Sequence, residues 1–154
     1  MSGAITIREP RPADFDQWLP LWEGYNAFYE RAGPTAVSEA MTRTTWGRFF
    51  DAYEPMHALV AEAEGGRLVG LVHYLFHRHT VMVGPICYLQ DLFTAADARG
   101  TGVGRALIEA VYARAKAAGS TRVYWQTQET NATARLLYDR LATNSGFIVY
   151  RREL

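Results

Sequence analysis

Along "AITIR" (4–8), apolar and polar residues alternate with the period of a half-buried strand. "EPRPAD" follows and opens a helix, with Pro12 near its first turn. Phe15, Trp18, Trp22, Tyr25 and Tyr29 then recur at three- and four-residue steps, an aromatic stripe on one helical face. Pro20 interrupts the stripe and predicts a kink or a split, and Gly33-Pro34 predicts the end. Residues 36–51 read as a second helix carrying Val37, Met41, Trp46, Phe49 and Phe50.

The pattern then shifts to strands. "MHALVAEA" (56–63) and "RLVGLVHYLFHRHTV" (67–81) flank the turn "EGG" and predict a hairpin. Gly84-Pro85 marks the next turn, and "ICYLQDLFT" (86–94) a third strand of the meander. Val103, Ala106, Leu107, Ala110 and Val111 return to helical spacing up to Gly119. "TRVYWQT" (121–127) predicts a strand, residues 132–142 a helix with Ala134, Leu137, Tyr138 and Leu141 on one face, and "GFIVYRREL" (146–154) a closing strand. The order β-α-α-β-β-β-α-β-α-β predicts a mixed α/β sheet in a single domain over residues 1–154.

Composition narrows the function more than the fold. Hydrophobic residues make up 49% of the chain and the formal net charge is +0, so no global field draws in nucleic acid or an anionic membrane. No apolar run approaches the roughly 20 residues of a membrane span, and "MSGAITIREPRP" lacks the apolar core of a signal peptide. Cys87, the single cysteine, cannot form an intrachain disulfide and reads as a core thiol in a reducing compartment. The expectation is a cytoplasmic enzyme or binding domain.

One stretch asks for a ligand. "RGTGVGR" (99–105) puts Gly100, Gly102 and Gly104 at the mouth of a helix, with an arginine at each end. A helix start leaves several amides unpaired, and glycines let a backbone approach an anion closely. No lysine follows these glycines, which argues against a P-loop. Arg105 stands where the third glycine of a dinucleotide fingerprint belongs, and the strand comes fourth, which argues against NAD. What remains is R-x-x-G-x-G, suited to a phosphate or pyrophosphate.

These residues, the preceding "YLQDLFT", and "NATARLLYD" (131–139) with its N-x-x-A-x-x-x-Y spacing resemble the GNAT superfamily of N-acetyltransferases. The resemblance spans nearly the whole chain and points to the branch holding histone, polyamine and D-amino-acid acetyltransferases. It implies the GNAT acyltransferase fold, acetyl-CoA as co-substrate, no metal, and an amine acceptor. It implies that Arg99, Gly100, Thr101, Gly102, Val103, Gly104 and Arg105 hold the pyrophosphate, and that the backbone of Leu92, Phe93 and Thr94 faces the pantetheine. It further implies that Tyr138 protonates the leaving thiolate and that Asn131, by position the cap of its helix, also touches the cofactor. On spacing alone Tyr138 is as readily a core residue.

A lysine-like amine with pKa ~10.4 costs roughly 4–5 kcal/mol to neutralise at pH 7, so a base is useful. Gln90 stands where spermidine/spermine-like relatives carry glutamate, and glutamine is no base. Asp91 is the candidate base or amine anchor, or else a structural aspartate, and Glu129 is a weaker candidate. His73, His77 and His79 alternate on one strand face and are expected to face solvent or the acceptor rather than a metal. The aromatic stripe is expected to pack the core and partly to wall the acceptor site. The acceptor is expected to be a small amine (a polyamine, a D-amino acid or an amino sugar), and the closing strand is expected to join two copies as a homodimer. The rival readings are a protein-lysine acetyltransferase, a non-catalytic acyl-CoA-binding or regulatory domain, which Gln90 would favour, and a purely structural domain.

Overall fold

A computed structural model describes residues 3–154, so the first two positions of the expected domain lie outside the described residues. Its strands are β1 (Thr6–Arg8), β2 (Met56–Glu62), β3 (Leu68–His77), β4 (Ile86–Thr94) and β5 (Val123–Tyr124). They form one sheet in sequence order, antiparallel throughout except for the parallel pair β4–β5. The helices are α1 (Phe15–Phe28), α2 (Glu39–Arg48), α3 (Val103–Ala117) and α4 (Ala132–Leu141).

The two faces of the sheet carry two cores. α3 buries Val103, Leu107, Ile108, Val111 and Ala115 against Leu59, Val72, Tyr74, Cys87 and Leu89 on one face. On the other, Trp18, Leu21 and Trp22 of α1 pack on Val60, Leu68 and Leu71, with Trp46 and Phe49 covering them. The aromatic stripe is therefore a packing surface: Trp18 and Trp22 stack with centroids 5.4 Å apart. The Trp22 indole donates 3.0 Å to Thr42 Oγ1 and ties α1 to α2. Cys87 is fully buried, and desolvation pushes its thiol up to about 12, so it is an inert core residue.

Five expectations are corrected. Pro20 does not split α1, which runs unbroken across it. The carbonyl that loses its partner there belongs to Asp16, which is exposed, so water can take the bond. The second helix is shorter than 36–51, because Ser38 caps it by accepting from the Met41 N–H at 3.1 Å. β3 stops at His77, and β5 keeps two residues of the seven expected. The final strand over 146–154 does not form within the chain. Phe147, Ile148, Val149 and Tyr150 stand exposed with no ladder to join.

β3 and α3 approach closely at Gly70, where a Cβ would lie 2.8 Å from Val103 Cγ1 and 3.0 Å from Leu107 Cδ1. Gly70→Ala is expected to lower stability by about 1–3 kcal/mol through overpacking. Gly47→Ala, in α2 with open space around it, is expected to be neutral or stabilising by up to about 1 kcal/mol. Thermal melts of the two variants check this, and a Gly70→Ala melting temperature at or above wild type would contradict the packing described.

Candidate active site

The site begins with a fault in the β3–β4 ladder. His73 pairs with Asp91 and Tyr74 with Leu89, so Gln90 is an extra residue without a partner, a β-bulge. Strict alternation would put Leu89 and Asp91 on one face. The bulge separates them: Leu89 enters the core under α3, while Asp91 turns to the α1 face opposite His73. Gln90 is left exposed, and Asp91 is 7% exposed.

His73 is fully buried between Trp18, Trp22 and Phe49, which corrects the expectation of a solvent-facing ring. The Trp18 indole N–H donates to His73 Nε2 at 3.1 Å, and Nδ1 lies 2.8 Å from Asp91 Oδ2. An indole nitrogen only donates, so Nε2 must accept. The ring proton therefore sits on Nδ1 and is donated to Asp91, and the contact is a hydrogen bond from a neutral imidazole rather than an ion pair. The chain Trp18→His73→Asp91 fixes one carboxylate oxygen.

Three tyrosines surround Asp91. Burial and the nearby carboxylate push the phenols of Tyr25 and Tyr29 up, and burial, Tyr124 and Asp91 do the same to Tyr88. Tyr138, on α4, stands edge-on to Trp125 with centroids 5.4 Å apart. Burial, with a smaller push from Tyr29, raises its pKa above the ordinary value of 10.0. Its hydroxyl has no hydrogen-bond partner among the described residues and is not sealed from solvent. Tyr29 thus lies within electrostatic range of both Asp91 and Tyr138.

Beside that space the sheet opens. β5 pairs with β4 only at Cys87 and Tyr88, so from Leu89 to Thr94 that edge of β4 has no strand partner among the described residues. Leu92 packs toward α3, and Phe93 lies against α1 at Gly24, where a Cβ would be 2.7 Å from its ring. Gly100 (φ 75°) and Gly102 (φ 90°) take left-handed conformations that a side chain would strain. No side chain caps α3, whose first intrahelical bond runs from the Ala106 N–H to Gly102 O, so the amides of Val103, Gly104 and Arg105 point out of the helix start.

The polar residues of the loop are held loosely. Arg99 Nε donates to Thr94 O at 3.3 Å, and Thr101 Oγ1 donates to Ala98 O. Arg105 pairs with Glu109 at 3.0 Å, an exposed contact worth about 0–1 kcal/mol, which does not tie it down. Asn131 occupies the cap position of α4, but its side chain does not cap: Nδ2 donates to Thr127 Oγ1 at 3.3 Å. Its ψ of 67° lies outside the extended conformation usual for a capping residue. Glu129 is exposed, away from Asp91's hydrogen bonds. His77 binds Arg78 O and Tyr124 Oη, and His79 lies past the end of β3, so the three histidines do not share a strand face. No group of three metal-ligating side chains occurs among the described residues.

Sequence reasoning missed Trp18 and His73 as partners of Asp91. A donor-only indole and an imidazole 55 residues apart leave no local signal; the bulge aligns them.

Comparison with known proteins places this geometry. Residues 18–142 match the acetyltransferase (GNAT) family. The D-amino-acid N-acetyltransferase HPA3 of Saccharomyces cerevisiae is 36% identical over 153 residues, covering 99% of this chain and 92% of that relative. An uncharacterised N-acetyltransferase of Bacillus subtilis, YhfO, is 28% identical over 95% of each chain. Among solved structures, an aminoglycoside N-acetyltransferase in complex with CoA superposes with a TM-score of 0.81 at 17% identity, covering 99% of this chain and 97% of that one. The ribosomal-protein-alanine N-acetyltransferase of Brucella melitensis gives 0.79 at 19% identity, covering 98% and 99%. These distant structures share the fold, and the near relative shares the sequence along almost all of its length. The chain belongs to the GNAT acetyltransferase family and is an acetyl-CoA-dependent N-acetyltransferase.

Proposed function

We propose that the acceptor is a small molecule carrying a primary amine, foremost a D-amino acid, and that residues 1–154 act as one catalytic domain. The 36% identity to a D-amino-acid N-acetyltransferase over 99% of the chain carries this reading. The buried Asp91, whose charge is felt by Tyr25, Tyr29 and Tyr88, supports it, since a carboxylate among aromatic rings suits a compact ammonium.

The described residues fit acyl-CoA. Uncapped amides at Val103 and Gly104, the left-handed glycines, and the loosely held Arg99, Thr101 and Arg105 suit a pyrophosphate. The open β4 edge at Leu92, Phe93 and Thr94 offers backbone groups to an extended amide-bearing arm, with Asn131 across the gap at α4. Acetyl-CoA supplies an already activated acyl group, so no metal is required.

Asp91 receives the ammonium, orients it, and takes its proton directly or through water. Because the His73 Nδ1–H holds Oδ2, the proton goes to the other carboxylate oxygen. Tyr138, kept protonated by burial, gives its proton to the departing sulfur.

We also infer a homodimer, joined through segment 146–154, which pairs with no strand among the described residues and fits the sheet edge of a second copy. A cytoplasmic setting suits the lone reduced cysteine.

Tyr138→Phe is expected to lower kcat by about 10²–10⁴-fold with little change in KM for acetyl-CoA. Because burial raises the Tyr138 pKa above 10.0, its deprotonation is expected to cause no activity loss below about pH 10. Asp91→Asn keeps an acceptor for His73 and should fold, yet lose at least about 100-fold in kcat. Steady-state kinetics across pH check both, and wild-type rates in either variant would remove that residue from the mechanism. Light scattering is expected to give twice 17.3 kDa for the full chain and a monomer lighter than 17.3 kDa after removal of 146–154; a monomeric full chain would contradict the dimer.

A further inference from the structure

α1 does not simply fray at its end. The Arg31 N–H donates to Asn26 O at 2.9 Å and the Glu30 N–H to Ala27 O at 3.0 Å, a tight helix-ending turn. Such turns usually place glycine at the left-handed position, but here it is Glu30, with φ 63°, the one non-glycine residue with positive φ among those described. That backbone costs about 1–2 kcal/mol, and such strain concentrates at functional sites.

The turn directs Arg31 back over the helix. Its guanidinium carbon lies 5.2 Å from the Tyr29 ring centroid and 5.7 Å from that of Tyr25. Asn26, only 3% exposed, holds it there: Oδ1 accepts from Arg31 Nε at 2.7 Å, while Nδ2 donates to Trp22 O. A solvated arginine needs neither a strained neighbour nor a buried amide. One nitrogen is thus fixed, and the two Nη groups have no protein partner among the described residues. Tyr25 and Tyr29 are also the rings beside Asp91. Its carboxylate pushes both phenols up, and the Arg31 guanidinium pulls both down, so the two tyrosines lie within the field of a negative and a positive group.

We propose that Arg31 recognises the carboxylate of the acceptor, so that an amino acid lies across Tyr25 and Tyr29 with its ammonium at Asp91 and its carboxylate on the Arg31 Nη groups. This rests on the reading of the acceptor as a free amino acid and adds the residue that distinguishes it from a simple amine. Two opposite charges at the ends of an aromatic floor fit a zwitterion. A polyamine would set a second cation against the guanidinium.

The test compares D-phenylalanine, its neutral amide and phenethylamine as acceptors for wild type, Arg31→Gln and Arg31→Lys. Arg31→Gln is expected to lose about 10- to 100-fold in kcat/KM toward D-phenylalanine, mostly in KM, with Arg31→Lys between it and wild type. The loss toward phenethylamine, which has no carboxylate, is expected to be at least tenfold smaller, with the amide close to it. An equal loss toward all three acceptors, or none toward D-phenylalanine, would overturn the assignment of Arg31 while leaving the amino-acid reading intact. A wild-type enzyme that acetylates phenethylamine and the amide but not D-phenylalanine would overturn both.

Discussion

A single proton position organises the candidate site. The Trp18 indole can only donate, so its bond to His73 Nε2 forces the imidazole proton onto Nδ1 and into a hydrogen bond with Asp91. All three residues are buried, and in that setting an unsatisfied polar atom would cost about 1–3 kcal/mol. No buried side-chain nitrogen or oxygen lacks a partner among the described residues, so the network is closed. Its effect is to hold one carboxylate oxygen rigidly and leave the other outside the His73 bond. The aromatic stripe thus serves packing and chemistry at once. Trp18 fills the core under α1, and its single polar atom sets the state of the candidate base.

That arrangement needs the bulge. Were Gln90 paired within a regular ladder, Asp91 would share a face with Leu89 and would be driven into the apolar core under α3. Gln90 is where the sequence pattern suggests a missing base, but the structure gives that position a geometric task. It is the residue set outside the ladder so that the next one can turn inward. The absence of glutamate there consequently does not count against catalysis.

Much of the fold could be read from apolar spacing, because helices α1 and α3 each bury a regular face and strands β2 to β4 are largely buried apolar runs. The glycine loop leaves a sequence motif for a different reason. Steric demands on a backbone, such as φ 90° at Gly102, select residue types strongly enough to leave a motif. What stayed hidden depends on non-local register. Alternation cannot announce a bulge, a buried histidine looks like a surface one, and the Arg31 turn carries no glycine to betray it. Pro20 misled because a lost hydrogen bond is tolerated where the freed carbonyl is wet. The closing segment misled in the opposite sense, since its apolar pattern is that of a strand while it joins no ladder among the described residues.

The remaining structure serves this one carboxylate. α1 and α2 seal it from the far side, the tyrosines shape its open side, and the parted edge of β4 leads to it from the helix start at Gly102. The most direct measurement is long-range proton–nitrogen NMR of the His73 ring in selectively labelled enzyme. Near neutral pH, the account predicts a neutral imidazole protonated on Nδ1 alone, and a Trp18→Phe variant that loses this fixed tautomer. An imidazolium, or a ring protonated on Nε2, would contradict it.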